Sequence, residues 1–280
     1  MFRHFSTVWI TYTALAVVLF YKSSVAQTPF ENTLKKRTEA LLAPAKIISD
    51  ELLPNAVLQS LTVPSGWGGY GTYLFGGIGG NFAQPYRKSA DFISFAGFCT
   101  GNPERFANIA ISVNALDVSK ASDFSWNVSV SRRLFAGSSI SAGALQLFSN
   151  RKVTDAPGAT IYMAFSHAVQ SLPSDFNPGS SKLTYTIGIG TGRFYRKSPM
   201  DIWKGRGAHG TAVFASVSYE LLKKVNFNVE WSGMNLGASF GLKPFDNPFS
   251  IGLGLTNLTR YSSDKVNASF VVCYPLSLRR

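Results

Sequence analysis

Charged residues are scarce in this chain. Lys, Arg, Asp and Glu make up 15% of its 280 residues, against about 25% in a typical soluble domain. A soluble barrel or sandwich carries charge on its outer face, so the shortage argues against a large water-exposed surface. Basic residues still outnumber acidic ones, 27 to 15, which gives a formal net charge of +12.

Long apolar runs are missing after the first 26 residues. The chain opens with Arg3 and His4, an apolar run over residues 8–21, and the small residues Ser24-Val25-Ala26. This order is typical of a secretory signal peptide cut after Ala26. The run is shorter than the roughly 20 residues that a spanning helix needs. Cleavage removes Arg3 and Lys22 and no acid, so the net charge falls by two, from +12 to +10.

Cysteine is rare, and no Cys or His spacing is typical of a metal site, so we expect neither a metal nor a cofactor. The chain has only Cys99 and Cys273. Export permits a disulfide, and closing a barrel brings early and late strands together. Two independent thiols are the favoured alternative.

Catalytic motifs are also missing, since neither G-x-S-x-G nor H-E-x-x-H occurs. The mature chain has two histidines, His167 and His209. Ser166 precedes His167, but adjacent residues of a strand point to opposite faces and do not act as a pair. We therefore expect no enzyme. A barrel lipid hydrolase is the less favoured alternative, and loss of activity on changing either histidine would reveal it.

Alternation of apolar and small polar residues is what the chain has in abundance. In residues 107–133, Ile109, Ile111 and Val113 alternate with small residues, and after a polar turn Trp126 and Val128 alternate with Asn and Ser. A period of two predicts a β-hairpin with one apolar and one small-polar face. With so few charges, the apolar face suits lipid and the polar face suits a lumen, as in bacterial outer-membrane barrels. A soluble sandwich is the alternative.

About twelve such segments follow one another, each of a length that suits a tilted membrane strand where the pattern is clear. They are residues 72–80, 90–99, the two arms of 107–133, 139–148, 159–168, 183–192, 211–222, 225–231, 236–242, 250–258 and 266–274. Prolines fall between them, as a ladder requires. We predict an all-β fold, an antiparallel transmembrane β-barrel of about 10–12 strands with a short N-terminal helical extension.

The extension covers residues 27–62, between the signal peptide at 1–26 and the barrel at 63–280. Apolar residues recur there at spacings of three, four and seven, which predicts an amphipathic helix interrupted at Pro44 and ending at Pro54. Four roles stay open for residues 28–61. They lie on the membrane, plug the barrel mouth, bind an envelope protein partner, or form a loosely packed extension.

The basic residues suggest anionic partners. Export argues against nucleic acid, which leaves lipopolysaccharide in the outer-membrane lipid, or anions crossing a pore. The candidate ligand-binding residues lie at a strand end, in the connection over residues 193–209, and on a polar strand face where a carboxylate would need a cation. They are Arg132, Arg133, Arg193, Arg196, Lys204, Arg206 and Glu230. A solvated basic loop and interface anchoring are the alternatives.

In general form the chain resembles bacterial outer-membrane β-barrel proteins. The signal ending in Ser24-Val25-Ala26 and the strand series from Thr72 to Tyr274 carry the resemblance. It implies an outer-membrane location and covers about three quarters of the chain, with no motif that fixes one family. One departure is the end of the chain, since such barrels often end on an aromatic residue, whereas here six residues follow Tyr274.

The function we predict is a pore for small solutes with an anion bias. The alternative is a non-conducting barrel that serves as a structural or assembly subunit of an envelope or secretion complex. If the N-terminus is periplasmic, alternation of the strands places the basic connection over residues 193–209 on the outside.

Overall fold

The computed structural model describes residues 51–82, 91–117, 122–149, 158–259, 261–262 and 265–278. They belong to one compact unit, Pro44–Arg280. The predicted signal peptide and the part of the predicted helix before residue 51 lie outside the described residues. Within these ranges no helix is long and apolar enough to cross a membrane.

Twelve antiparallel strands form a closed barrel, which confirms the predicted antiparallel barrel. The predicted helix does not extend to Pro54, because Leu53–Pro54 is a β-strand. Each barrel strand pairs with its neighbours in sequence, and the last strand pairs with the first, from Ala268 opposite Phe82 to Ser277 opposite Tyr73. The strands are β1 (Tyr73–Phe82), β2 (Asp91–Gly101), β3 (Asn108–Asp117), β4 (Ser122–Arg133), β5 (Ser138–Leu147), β6 (Thr160–Ala168), β7 (Leu183–Gly190), β8 (Val213–Leu222), β9 (Val225–Trp231), β10 (Leu236–Leu242), β11 (Ser250–Thr256) and β12 (Asn267–Ser277).

Three further elements lie outside the barrel wall. Leu53–Pro54 pairs in parallel with Ser180–Ser181. A 3-10 turn covers Gly192–Phe194, and a short helix α1 (Pro199–Trp203) follows it. The last strand extends beyond its predicted end at Tyr274, because β12 runs to Ser277 and includes Pro275 opposite Phe75. The first barrel strand begins at Tyr73, so residues 63–72 precede the wall.

The two faces of the wall are inverted relative to a soluble barrel. On β7, Ile187 is 52% exposed whereas Thr186 is 6% exposed, and on β9 Val229 is exposed while Asn228 and Glu230 are buried. Apolar side chains therefore point outward and polar side chains inward, the pattern of a barrel in lipid. The chain has the fold of an outer-membrane β-barrel, as the alternation in the sequence predicts.

The barrel has two ends, which we call the near end and the far end. The near end holds Tyr73 and Ser277, where the wall begins and finishes. The far end holds Phe82 and Asn267, and its connections include residues 191–212. Outward-facing aromatic side chains gather at the far end, where the rings of Phe82, Phe92 and Phe270 lie 5.8–5.9 Å apart. Aromatic residues favour the boundary between lipid and water.

The two cysteines are free thiols. Cys99 lies on β2 opposite Tyr73, and Cys273 lies on β12 opposite Gly77, so β1 separates them. Closure of the barrel brings their strands close together, as expected, but the two cysteines lie opposite different residues of β1, Tyr73 and Gly77. The favoured alternative of two independent thiols describes the structure.

Candidate functional site in the barrel lumen

A stretch of chain before β1 lies inside the barrel. We call residues 51–70 the inner segment. It enters at the near end, where the Leu52 amide donates to Gln170, and it reaches Glu230 close to the far end through Thr62. It then returns to the near end, where the Gly71 amide donates to Gly101. The lumen is therefore occupied by a loop of the chain itself, which is one of the four roles that the sequence left open for residues 28–61.

Glu230 holds the turning point of the inner segment. Its carboxylate accepts hydrogen bonds from the backbone amides of Leu61 (2.6 Å) and Thr62 (2.7 Å). It also accepts from the hydroxyls of Thr62, Ser60 and Ser239. A buried carboxylate is stable when donors satisfy its oxygens. The sequence predicts a cation beside Glu230. In the structure, five hydrogen-bond donors contact the carboxylate instead.

Small polar side chains hold the two arms of the inner segment against the wall. On the first arm, Asn55 and Asn226 exchange amide hydrogen bonds of 2.8 and 2.9 Å. On the returning arm, the Gly66 amide donates to Ser166 and the Gly66 carbonyl accepts from Ser139. Gly66 is required there because a Cβ atom would stand 2.6 Å from the Ser139 carbonyl oxygen.

Arg133 fixes the inner segment at the near end. Its guanidinium lies 2.8 Å from the Glu51 carboxylate and also pairs with Glu104. Both members of the pair with Glu51 are nearly buried, and Glu51 accepts a further bond from the Gly137 amide. The sequence predicts Arg133 at a strand end, with interface anchoring as an alternative. In the structure it lies at the mouth and binds the segment that fills the lumen.

An apolar cluster lies inside the barrel beneath the connection at the far end. Phe194, from the 3-10 turn, is fully buried with its ring 4.4 Å from that of Phe214. Val63 of the inner segment, Tyr162 and Ala164 complete the cluster. This packing draws residues 191–212 inward over the barrel mouth.

Arg193 lies next to that cluster and lines a cavity of about 200 Å³. Amide side chains surround it, from Asn81, Asn235, Asn257 and Asn267, together with Thr62. Arg193 is exposed, although desolvation by its surroundings lowers its pKa and the Glu230 charge opposes that shift. An arginine stays protonated at neutral pH even so. The cavity therefore combines one positive charge with neutral hydrogen-bonding groups.

Part of the lumen wall is apolar, which the sequence analysis missed. Phe75, Ile93, Phe95 and Val271 all point into the lumen and are only half-buried. Phe95 packs over Gly77, and Phe75 packs over Gly97 on the neighbouring strand. The sequence gives only a weak sign of this apolar wall, because β1 carries apolar residues on both faces and four glycines between them.

The remaining predicted basic residues do not converge on the lumen. Arg132 faces outward at the near end, because it lies between Ser131 and Arg133, which both point into the lumen, and adjacent residues of a strand point to opposite faces. Arg196 and Lys204 are exposed on the connection at the far end. Arg206 pairs with Asp201 at 3.1 Å. Of the candidates on the connection over residues 193–209, only Arg193 lines the cavity.

A serine and a histidine meet on the outer face of the barrel. Ser138 on β5 is paired in register with His167 on β6, and Ser138 Oγ lies 2.7 Å from His167 Nδ1. The Tyr185 ring flanks the imidazole at 5.5 Å between centroids. The sequence analysis correctly set Ser166 aside, since it faces the lumen, but only strand register brings Ser138 to His167. His209 lies elsewhere, stacked on Tyr195.

The search for known relatives gave structures alone, since no family model and no curated protein matches the chain. Outer membrane phospholipase A from Escherichia coli has 8% identity and a TM-score of 0.38, over 75% of this chain and 98% of that one. An active-site mutant of it gives 11% and 0.39, over 78% and 95%. The calcium-bound dimer from Salmonella typhi gives 9% and 0.38, over 74% and 91%.

These structures correct one expectation of the sequence analysis, that the protein is not an enzyme. All three are structures of an enzyme on an outer-membrane barrel. The absence of a catalytic motif in the sequence was the wrong criterion, because strand register can assemble a site from residues that no spacing singles out. At this TM-score the likeness itself says nothing about which activity the present chain has.

Proposed function

We propose that the protein is an outer-membrane pore for small solutes that favours anions and is narrowed by its own inner segment. The observation that carries the proposal is the cavity at the far end, where Arg193 is the charged residue among neutral amides. Such a lining replaces part of a solute's hydration while the charge attracts anions.

The distribution of burial inside the barrel supports a passage beside the inner segment. The wall under the segment is buried, as at Ser139, Ser166 and Asn228. The wall opposite it is half-exposed, as at Phe95 and Ser112. The segment also covers the near end of β1 to β4, where Gly68 lies against Ser131 and Gly69 against Tyr73. The less covered part of the wall, along which a solute would pass, is the middle of β1 to β4.

Planar-bilayer recording of the mature protein tests the proposal. We expect channel events and a reversal potential, under a KCl gradient, on the side that indicates preference for chloride. Arg193→Gln should shift that potential towards zero. Arg196→Gln is the matched control, since Arg196 carries the same charge in the same connection but is exposed outside the cavity. A protein that inserts and never conducts contradicts the pore and favours the non-conducting alternative.

Ester hydrolysis is a second candidate, which the Ser138–His167 hydrogen bond favours. With its proton on Nε2, the imidazole accepts from Ser138 Oγ at Nδ1, which is the arrangement that activates a serine nucleophile. Oγ would attack the ester carbonyl carbon, the proton would pass through His167 to the leaving alcohol, and water would then release the acid. The pair faces outward near the barrel rim, where the imidazole is half-buried and Ser138 is fully buried.

Hydrolysis of a short-chain nitrophenyl ester by the detergent-solubilised barrel tests this candidate. Ser138→Ala and His167→Asn should each lower kcat/KM by at least 100-fold, a magnitude ordinary for a nucleophile and its base. His209→Asn should leave the rate unchanged. Equal rates in all variants, or no hydrolysis by the unmodified protein, would count against the pair as a catalytic site.

A further inference from the structure

The lumen carries an apolar path that ends at a positive charge. The path consists of Phe75, Phe95, Ile93 and Val271 from the wall, with Leu61 from the inner segment, and we call it the inner apolar stripe. Ordinary lumens that pass small hydrophilic solutes are polar. A stripe of half-exposed apolar side chains inside the barrel is a surface that an apolar ligand would cover.

The contacts around three glycines show that the stripe is continuous. Phe75 and Phe95 interlock over Gly97 and Gly77 on β1 and β2. Ile93 and Val271 both border Gly79, at 3.7 and 3.8 Å from the position of a Cβ there. From Tyr73 to Gly79 along β1, the stripe spans about 20 Å at the rise of a strand.

The stripe leads directly into the Arg193 cavity, because each of three chain elements carries residues of both. Leu61 lies in the stripe and Thr62 lines the cavity. On β1 the stripe passes Gly79, and Asn81 lines the cavity two residues later. On β12 Val271 belongs to the stripe, and Asn267 lines the cavity on the same inward face.

Two polar groups in the cavity lack partners within the described ranges. Asn267 is 8% exposed, and its side-chain oxygen has no hydrogen-bond partner there. The Arg193 guanidinium has no hydrogen bond in those ranges either and lies 5.7 Å from the Phe194 ring. The Asn267 oxygen is an acceptor and needs a donor, whereas the guanidinium at the end of the apolar path suits the anionic head of a ligand.

We propose that the lumen binds a single-chain amphiphilic anion of the fatty carboxylate class. The alkyl chain lies along the inner apolar stripe, and the carboxylate lies in the cavity beside Arg193. This inference rests on the proposed function and names the class of solute. An anion without a chain would cover none of the stripe, and an uncharged chain would leave the guanidinium unpaired.

Equilibrium dialysis of dodecanoate against the full mature protein in nanodiscs tests the inference, with protein-free nanodiscs as background. We expect saturable binding of dodecanoate, at least tenfold weaker binding of dodecanol, and no competition by acetate. Arg193→Gln should weaken dodecanoate binding by about tenfold to a hundredfold, the value of a charge-assisted hydrogen bond. It should leave dodecanol binding unchanged, and Arg196→Gln should change neither.

A second pair of variants tests the stripe. Phe95→Ser should weaken binding of dodecanoate and dodecanol alike by about tenfold. Phe98→Ser, on the outward face of the same strand, should weaken neither. If Phe95→Ser loses the compact form that resists unfolding in unboiled gel samples, Ile93→Ser takes its place. Binding that Arg193→Gln leaves intact, or that equals the protein-free background, overturns the inference.

The conductance experiment and the binding experiment test the two proposals separately. A barrel that conducts chloride and does not bind dodecanoate refutes the amphiphile and leaves the pore. A barrel that binds dodecanoate and never conducts refutes the pore and keeps the site.

Discussion

Glu230 provides the sharpest test of how the inner segment is held. Each of its two carboxylate oxygens accepts a backbone amide, Oε1 from Leu61 and Oε2 from Thr62. Glu230→Gln keeps the size of the side chain but turns one oxygen into an NH2 group. Whichever way the amide is turned, one backbone N–H of the inner segment loses its acceptor and faces a donor.

The expected cost follows from that count. A buried donor left without a partner costs about 1–3 kcal/mol, and the bonds that remain lose the strengthening that a charged acceptor gives. We expect the docked inner segment to be weakened by about 3 kcal/mol. Since 1.4 kcal/mol is a factor of ten in an equilibrium constant, the undocked population should rise by about a hundredfold.

Amide hydrogen exchange, followed by mass spectrometry in nanodiscs, measures that population directly. Peptides that contain Leu61 and Thr62 should exchange about a hundredfold faster in Glu230→Gln. Glu220→Gln is the matched control, because Glu220 is equally buried but accepts only through Oε1, from Asn55 and Asn177. Its Oε2 has no partner in the described part of the chain, so an NH2 group there displaces no hydrogen bond.

The result that would refute this reasoning is equal protection of residues 60–63 in the two glutamine variants. The inner segment would then be held by its other contacts, such as the Asn55–Asn226 pair, and Glu230 would not be its anchor. Faster exchange over the whole barrel in Glu230→Gln would show instead that the carboxylate supports the fold at large.

Two further predictions concern the stability of the barrel, measured as the temperature at which the compact form is lost on gels. Arg133→Ala breaks a nearly buried ion pair with Glu51 and should destabilise the docked segment by about 3 kcal/mol. Arg132→Ala, on the outward face, should cost much less, and equal losses would contradict the pairing. Gly77→Ala places a Cβ against the Val272 carbonyl oxygen and the Phe95 ring and should cost about 1–3 kcal/mol. At Gly76 the nearest atom is 3.4 Å away, so Gly76→Ala should be tolerated, and a loss at both positions would contradict the packing of Phe95.

The candidate site divides sharply into what could be predicted and what could not. Arg193 was singled out because it belongs to a basic connection, yet nothing in the sequence distinguishes it from Arg196 three residues later. Phe194, buried between Phe214 and Val63, pulls one of these arginines towards the lumen. The Ser138–His167 pair depends on the register of β5 against β6, and a shift by one residue would move either side chain to the other face.

The sequence by itself determined the inverted barrel. Side-chain direction in a strand is a local property with a period of two, so the alternation of apolar with uncharged polar residues decides both the strands and the solvent on each face. Repetition of the pattern predicts about 10–12 strands, and closure of the barrel sets the number at twelve. Only the tertiary structure decided what fills the lumen. The inner segment has no period, and its course depends on donors and acceptors, such as Asn55 with Asn226 and Thr62 with Glu230, that lie about 170 residues apart in the chain. Barrel closure brings these groups together, and no local pattern in the sequence predicts their contact.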